Sequence, residues 1–209
     1  MAKRERKALL GRKVGMSQLY TEGGARVPVT LIEAGPCTVL QVKTVETDGY
    51  EALQIGFSDT AKRVTKPMEG VFKKVGTAAK RCIREIPKTT EAAPGDTIDL
   101  SIFEGIAKVD ISGVSKGRGF SGSVRRWNHA IGPKSHGSKS KRVLGSLGMH
   151  QDPGRIIKGQ SMPGQYGNKN VKTRNLQVVS FDVEKNLLVV RGAVPGPKGG
   201  FLYIEESIV

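Results

Sequence analysis

Between Lys116 and Arg174 the chain carries thirteen Lys and Arg residues against a single acid, Asp152. The same 59 residues hold eleven of the 27 glycines but only fourteen apolar side chains, about a quarter of the segment. Like charges at this density repel one another, and so little apolar surface cannot offset the entropy of ordering the backbone. The segment therefore cannot fold alone around a core, and a free loop of this length is uncommon. It is expected to order against a polyanion. RNA fits better than duplex DNA, because its irregular folded surface offers crevices to an extended peptide and phosphate contacts need no regular helix in a groove.

The rest of the chain has a different character. Of the formal net charge of +15, +12 lies in this segment and only +3 in the other 150 residues. Short β-branched runs recur there between turn signals, as a compact β fold requires. The expected strands are Lys13–Tyr20, Arg26–Ala34, Thr38–Thr44, Glu51–Phe57, Thr97–Phe103, Ala107–Ser112, Leu176–Val183, Asn186–Arg191 and Phe201–Glu205. Glu22-Gly23-Gly24, Thr47-Asp48-Gly49 and Glu184-Lys185 read as reversals between them. One short helix is expected over Lys66–Val75, with Pro67 near its start, Met68, Val71 and Phe72 on roughly one face, and Gly76 after it. Strands on both sides of the basic segment are assigned to one sheet system. Residues 116–174 are then an insertion into a β domain whose first part is 1–115 and whose closing strands are 175–209.

Several function classes drop out. The longest aliphatic run, Leu187-Leu188-Val189-Val190, is far short of the ~18 residues of a spanning helix. The start is basic but has only Ala8-Leu9-Leu10 before Gly11-Arg12-Lys13, so no secretory leader is expected. Two cysteines, Cys37 and Cys82, form no CxxC pair and read as inert thiols in a reducing cytoplasm. Gly117-Arg-Gly119-Phe-Ser-Gly122 spells a dinucleotide-binding pattern, but Lys141 and Arg142 stand where a ribose-holding carboxylate belongs. Gly154-Arg-Ile-Ile-Lys-Gly159-Gln-Ser has Gln160 in place of the P-loop lysine, and Gly132-Pro-Lys-Ser-His-Gly137-Ser-Lys has its last pair transposed. Arg118-Gly119-Phe120 opens like an RNA-recognition-motif signature, yet Ser121 and Gly122 break it and Phe120 has no second platform strand in the sequence. His129, His136 and His150 lie among cations with only Asp152 nearby, which disfavours a metal site. No cofactor, small-molecule substrate, membrane contact or catalysis is expected.

The expected function is RNA binding through the insertion. Lys116, Arg118, Lys134, Lys139, Lys141, Arg142, Arg155, Lys158, Lys169, Lys172 and Arg174 supply phosphate contacts. Arg125-Arg126-Trp127-Asn128-His129 is the densest recognition cluster, combining charge, stacking planes and an amide that reads base edges. His129, His136 and His150 are expected to stack on or hydrogen-bond to RNA. For Trp127 a second role stays open, anchoring the root of the insertion on the β domain.

The long collinear run Val109-Asp-Ile-Ser-Gly-Val-Ser-Lys-Gly-Arg-Gly-Phe-Ser-Gly-Ser-Val-Arg-Arg-Trp-Asn128 is followed by Ser135-His-Gly, Gly145-Ser-Leu-Gly148, Pro153-Gly-Arg and Met162-Pro-Gly-Gln-Tyr-Gly167. With Gly11-Arg-Lys-Val-Gly-Met16, Arg63-Val-Thr-Lys-Pro67 and Asn186-Leu-Leu-Val-Val-Arg-Gly-Ala-Val-Pro-Gly196, these motifs resemble the universal L-three family of large-subunit ribosomal proteins in its bacterial form. The resemblance covers nearly the whole chain. It implies a mainly β fold, a β-barrel of the translation-protein type interrupted by an extension that runs through large-subunit rRNA toward the peptidyl-transferase centre. It further implies early rRNA binding that helps nucleate subunit assembly, contacts with neighbouring ribosomal proteins, and a cytoplasmic location in the large subunit. In some bacterial members the glutamine matching Gln151 is N5-methylated, which makes Gln151 a candidate modification position. Here its neighbours are His150 and Asp152 rather than Asn and Thr. Met1-Ala-Lys-Arg-Glu-Arg-Lys-Ala8 is expected to be a basic tail, disordered or touching rRNA.

Overall fold

The computed structural model describes residues 6–60, 64–88 and 91–208; the first five residues of the expected basic tail lie outside them. Six antiparallel strands close on themselves: β1 (Ala8–Tyr20), β2 (Arg26–Ala34), β7 (Lys108–Val114), β10 (Asn170–Asp182), β11 (Leu187–Arg191) and β12 (Phe201–Glu206). Around the ring the order is β1-β12-β7-β10-β11-β2, and β2 returns to β1 through pairs such as Gly11 with Ala34 and Tyr20 with Arg26. Closure removes the open edges that would otherwise invite pairing with other chains. Three of the six strands precede residues 116–169 and three follow them.

A second sheet adds β3 (Cys37–Lys43), β4 (Ala52–Asp59), β5 (Lys80–Ile86) and β6 (Thr97–Ile98) in the order β5-β4-β3-β6. A short helix α1 (Val45–Asp48) links β3 to β4, and α2 (Lys66–Val75) follows β4, starting on Pro67 and ending at Gly76. Both sheets share one core. Leu9, Ile32, Ile111, Leu188 and Ile204 of the barrel pack in the same cluster as Val39, Leu53, Ile55, Phe57 and Ile98 of the second sheet, and all are buried. Phe57 of β4 meets Phe201 of β12 edge-on, with ring centroids 6.2 Å apart. Phe103, 1% exposed at the end of a 3-10 turn over Leu100–Phe103, belongs to the same cluster.

Several sequence expectations shift. Thr97–Phe103 is not one strand but two residues of β6 followed by the 3-10 turn. β5 was not anticipated, because Lys80, Arg81, Arg84 and Glu85 hide its alternation. Its charged edge is instead used in pairs, Lys80 with Asp59 at 2.7 Å and Glu85 with Lys43 at 2.8 Å. β1 starts at Ala8, five residues before the expected Lys13, because Ala8, Leu9 and Leu10 are all inside the core.

Cys37 on β3 and Cys82 on β5 are both paired across β4 with Phe57, so a strand separates them. The Cys37 thiol is fully buried and donates to the Leu10 carbonyl at 3.6 Å. Burial pushes its pKa up to about 12, and burial also raises that of Cys82. Neither environment favours a thiolate.

Candidate nucleic-acid interface

Residues Lys116–Lys169 form a compact unit separate from the barrel unit of Met1–Ser115 and Asn170–Val209. The chain leaves β7 at Val114 and re-enters β10 at Asn170, and these two residues are paired across the ladder. A 54-residue excursion therefore starts and ends at adjacent points on the barrel wall. Among the described residues of this unit no large apolar side chain is buried; only Ser121 and Ser123 fall below one-tenth exposure. Eleven of the thirteen basic residues and Asp152 lie in it.

Backbone bonds and one bracket hold the unit together instead. Near its base, Arg118 N–H donates to the Tyr166 carbonyl at 2.8 Å and Tyr166 N–H to that of Gly119 at 3.0 Å, so two residues face one, as in a β-bulge. Gly119 adopts φ 61°, and Gly167 adopts φ 74° at a spot where a Cβ would run into the Lys116 carbonyl. Beyond the bulge, β8 (Phe120–Ser121) pairs with β9 (Gly164–Gln165). A five-residue helix α3 (Ser123–Trp127) follows and stops at Asn128, φ 58°.

Arg126 Nη1 and Trp127 Nε1 both donate to the Met162 carbonyl, at 2.7 and 2.9 Å, while the Arg126 guanidinium lies 5.1 Å from the indole centroid. The same guanidinium rests against Gly164, where any side chain would collide with it. These two residues thus tie the outgoing limb of the extension to its returning limb. Within the sequence cluster, Arg125 and Asn128 are exposed and His129 half-buried. Trp127, 45% exposed, keeps a free ring surface even as its N–H is engaged. Its anchor lies inside the extension.

Later in the unit, Gly132 N–H donates to the Lys141 carbonyl at 2.9 Å and closes a loop bearing Lys134, His136 and Lys139, with Arg142 just after it in the chain. Arg155, Lys158 and Gln151 are exposed in the stretch that follows, and Lys116, Arg118 and Lys169 are exposed at the base. Arg118 also places its guanidinium 5.9 Å from the Tyr166 ring centroid.

Lys172 and Arg174 stand elsewhere, inside strand β10, whose residues 170–173 pair with β7. Lys172 reaches Asp110 Oδ2 at 3.5 Å and is ion-paired to Glu205, which Arg6 approaches at 3.7 Å. Its charge is already met within the barrel. Asp110 is 5% exposed, and burial pushes its carboxyl up, but the Asn175 N–H at 2.9 Å, the Ser207 hydroxyl and the Lys172 ammonium outweigh this and hold it below the usual carboxylate range. A depressed folded pKa adds stability that is present above the unfolded value, ~3.9, and is lost as pH falls through the folded value. Asp110→Asn is therefore expected to lower unfolding stability by about 1–3 kcal/mol at pH 7. In urea unfolding across pH, the gap to wild type should close below about pH 4. A gap independent of pH would show that the carboxylate charge is not what holds this network.

Phe120, Met162, Gln165 and Tyr166 help build this unit but were not among the residues that the sequence assigns to RNA contact. The pattern at Arg118-Gly119-Phe120 was the available signal, but it lacked a second strand. That strand is β9, which lies 44 residues farther along the chain.

The family model for ribosomal protein L3 matches residues 61–185. Over 203 residues the chain is 50% identical to the large ribosomal subunit protein uL3 of Thermotoga petrophila, covering 96% of this chain and 97% of that protein. It is likewise 50% identical to the large ribosomal subunit protein uL3 of Thermosipho africanus, covering 96% of this chain and 98% of the relative.

Proposed function

This chain belongs to the ribosomal protein L3 family, a structural and non-enzymatic component of the ribosome, and we propose that it binds large-subunit rRNA through residues 116–169. In this reading the barrel is a folded anchor in the large ribosomal subunit, and the extension is a cationic arm threaded into RNA. One observation carries it: a 54-residue unit with eleven cations, one acid and no buried large apolar side chain among its described residues, joined at both ends to paired strands of a closed barrel.

Phosphates neutralise the arm and release their counterions, which supplies the affinity that the missing core cannot. Lys116, Arg118, Arg125, Lys134, Lys139, Lys141, Arg142, Arg155, Lys158 and Lys169 are the proposed phosphate contacts, together with Arg174 on β10. Asn128, His129, His136 and the free face of Trp127 are proposed to touch bases. Lys172 is left out of this set, because the barrel carboxylates already hold it, and Arg126 contributes mainly by bracing the arm. The finer parts of the proposal are a path toward the peptidyl-transferase centre, an early role in subunit assembly, contacts with neighbouring ribosomal proteins, and Gln151 as a methylation position.

Competition at physiological salt tests specificity. Unlabelled large-subunit rRNA is expected to displace labelled large-subunit rRNA from the protein at far lower concentration than random-sequence RNA of equal length. Equal displacement by the two would instead describe a general RNA chaperone.

A further inference from the structure

Phe120 is 74% exposed, the most exposed of the chain's large apolar side chains among the described residues. It is not on a flexible tip. Its backbone sits in the β8–β9 ladder, directly across from Gln165, and the bulge at Arg118 and Gly119 pins the ribbon one residue earlier. Directly paired residues share a face, so Phe120 and Gln165 point the same way. The opposite face is occupied: Ser121 is 5% exposed, and Arg126 lies over Gly164 under the Met162 bracket. The ribbon therefore has one closed face and one open face that presents a phenyl ring beside an exposed primary amide.

Resting on the rRNA-binding reading above, we infer that Phe120 and Gln165 form a stacking site for an unpaired RNA base, the ring taking the base face and the amide its edge. Charge complementarity selects the occupant. Lys116, Arg118, Arg125 and Lys169 belong to the same acid-poor unit, so the ring is set in a field that attracts phosphates and draws their bases with them. An amide both donates and accepts, which suits any base edge. Stacking tolerates every base because each has a π face, so this site contributes affinity and position more than sequence choice.

The test uses the full chain and purified large-subunit rRNA, with affinity measured over a salt series for wild type, Phe120→Leu and Phe120→Trp. Leucine keeps the apolar bulk and removes the π face. Phe120→Leu should weaken binding roughly tenfold with the salt slope unchanged, since no charge is removed, and Phe120→Trp should bind at least as tightly as wild type. Short-wavelength ultraviolet crosslinking should attach a nucleotide to the peptide containing Phe120 in the wild-type complex. Unchanged thermal unfolding of both variants separates these effects from loss of fold. If Phe120→Leu binds like wild type, the stacking site is wrong while the arm's rRNA binding stands, and the ring would instead suit an apolar protein face. If wild type itself shows no salt-dependent rRNA binding, both the arm's function and this site are overturned.

Discussion

Replacing residues 115–169 with Asn-Gly should leave a folded barrel that has lost large-subunit rRNA affinity by about a thousandfold or more. The geometry permits the excision because Val114 and Asn170 are already paired across antiparallel strands, and two residues suffice to join such a pair in a tight hairpin. Every large apolar side chain buried in the structure lies outside the excised unit, so the barrel keeps its core. The Lys172, Asp110 and Glu205 network also remains, since all three residues belong to β7, β10 and β12. Cooperative unfolding near the wild-type midpoint, combined with loss of rRNA retention on a filter, is the expected pair of results. Retained affinity would place RNA binding on the barrel instead.

The opposite dissection acts on the core. Phe103→Ala is expected to cost about 3–5 kcal/mol, because the ring is almost wholly enclosed and its removal leaves a cavity on top of the lost transfer energy. For a chain of this size that lowers Tm by on the order of 10 °C in calorimetry. Phe103 sits in the turn between β6 and β7 and belongs to the cluster that both sheets share, so the loss should be global rather than confined to one sheet. At temperatures where the variant is still folded, its salt-dependent rRNA binding should match wild type. A Tm shift under 2 °C would mean that the two sheets do not depend on this contact.

These two expectations separate because the sequence itself separates charge from core, and the parts of the fold that were legible follow the same division. Arg26–Ala34, rich in β-branched residues, was found with the expected bounds, as was the helix over Lys66–Val75, which has Pro67 at one end and Gly76 at the other. Where charge crosses a strand, legibility failed. Lys172 and Arg174 were counted with the arm, but they alternate with Val171 and Thr173 on a strand already in register with β7, so β10 begins at Asn170 and not at Leu176. β5 was missed for the same reason.

The interface shows a second limit. The density of cations was plain in one stretch of sequence, and their exposure follows from the absence of acids and core. The bracket on Met162 and the pairing of Phe120 with Gln165 join residues about 35 to 45 positions apart, and two-residue strands leave no periodicity to read. The sequence presents Arg126 and Trp127 as charge and stacking planes. It does not show that N–H donors of both are held by the Met162 carbonyl of the same arm, which leaves the exposed ring of Trp127 as its proposed RNA contact.

The central claim is that the arm binds large-subunit rRNA through its phosphates, and the salt dependence of that binding tests it most directly. If about half of the thirteen cations in residues 116–174 engage phosphates, a single-strand-like coefficient of ~0.7 per contact predicts a slope of log Kobs against log salt of roughly −4 to −5 for the full chain. A slope near zero, with affinity indifferent to salt, would contradict it.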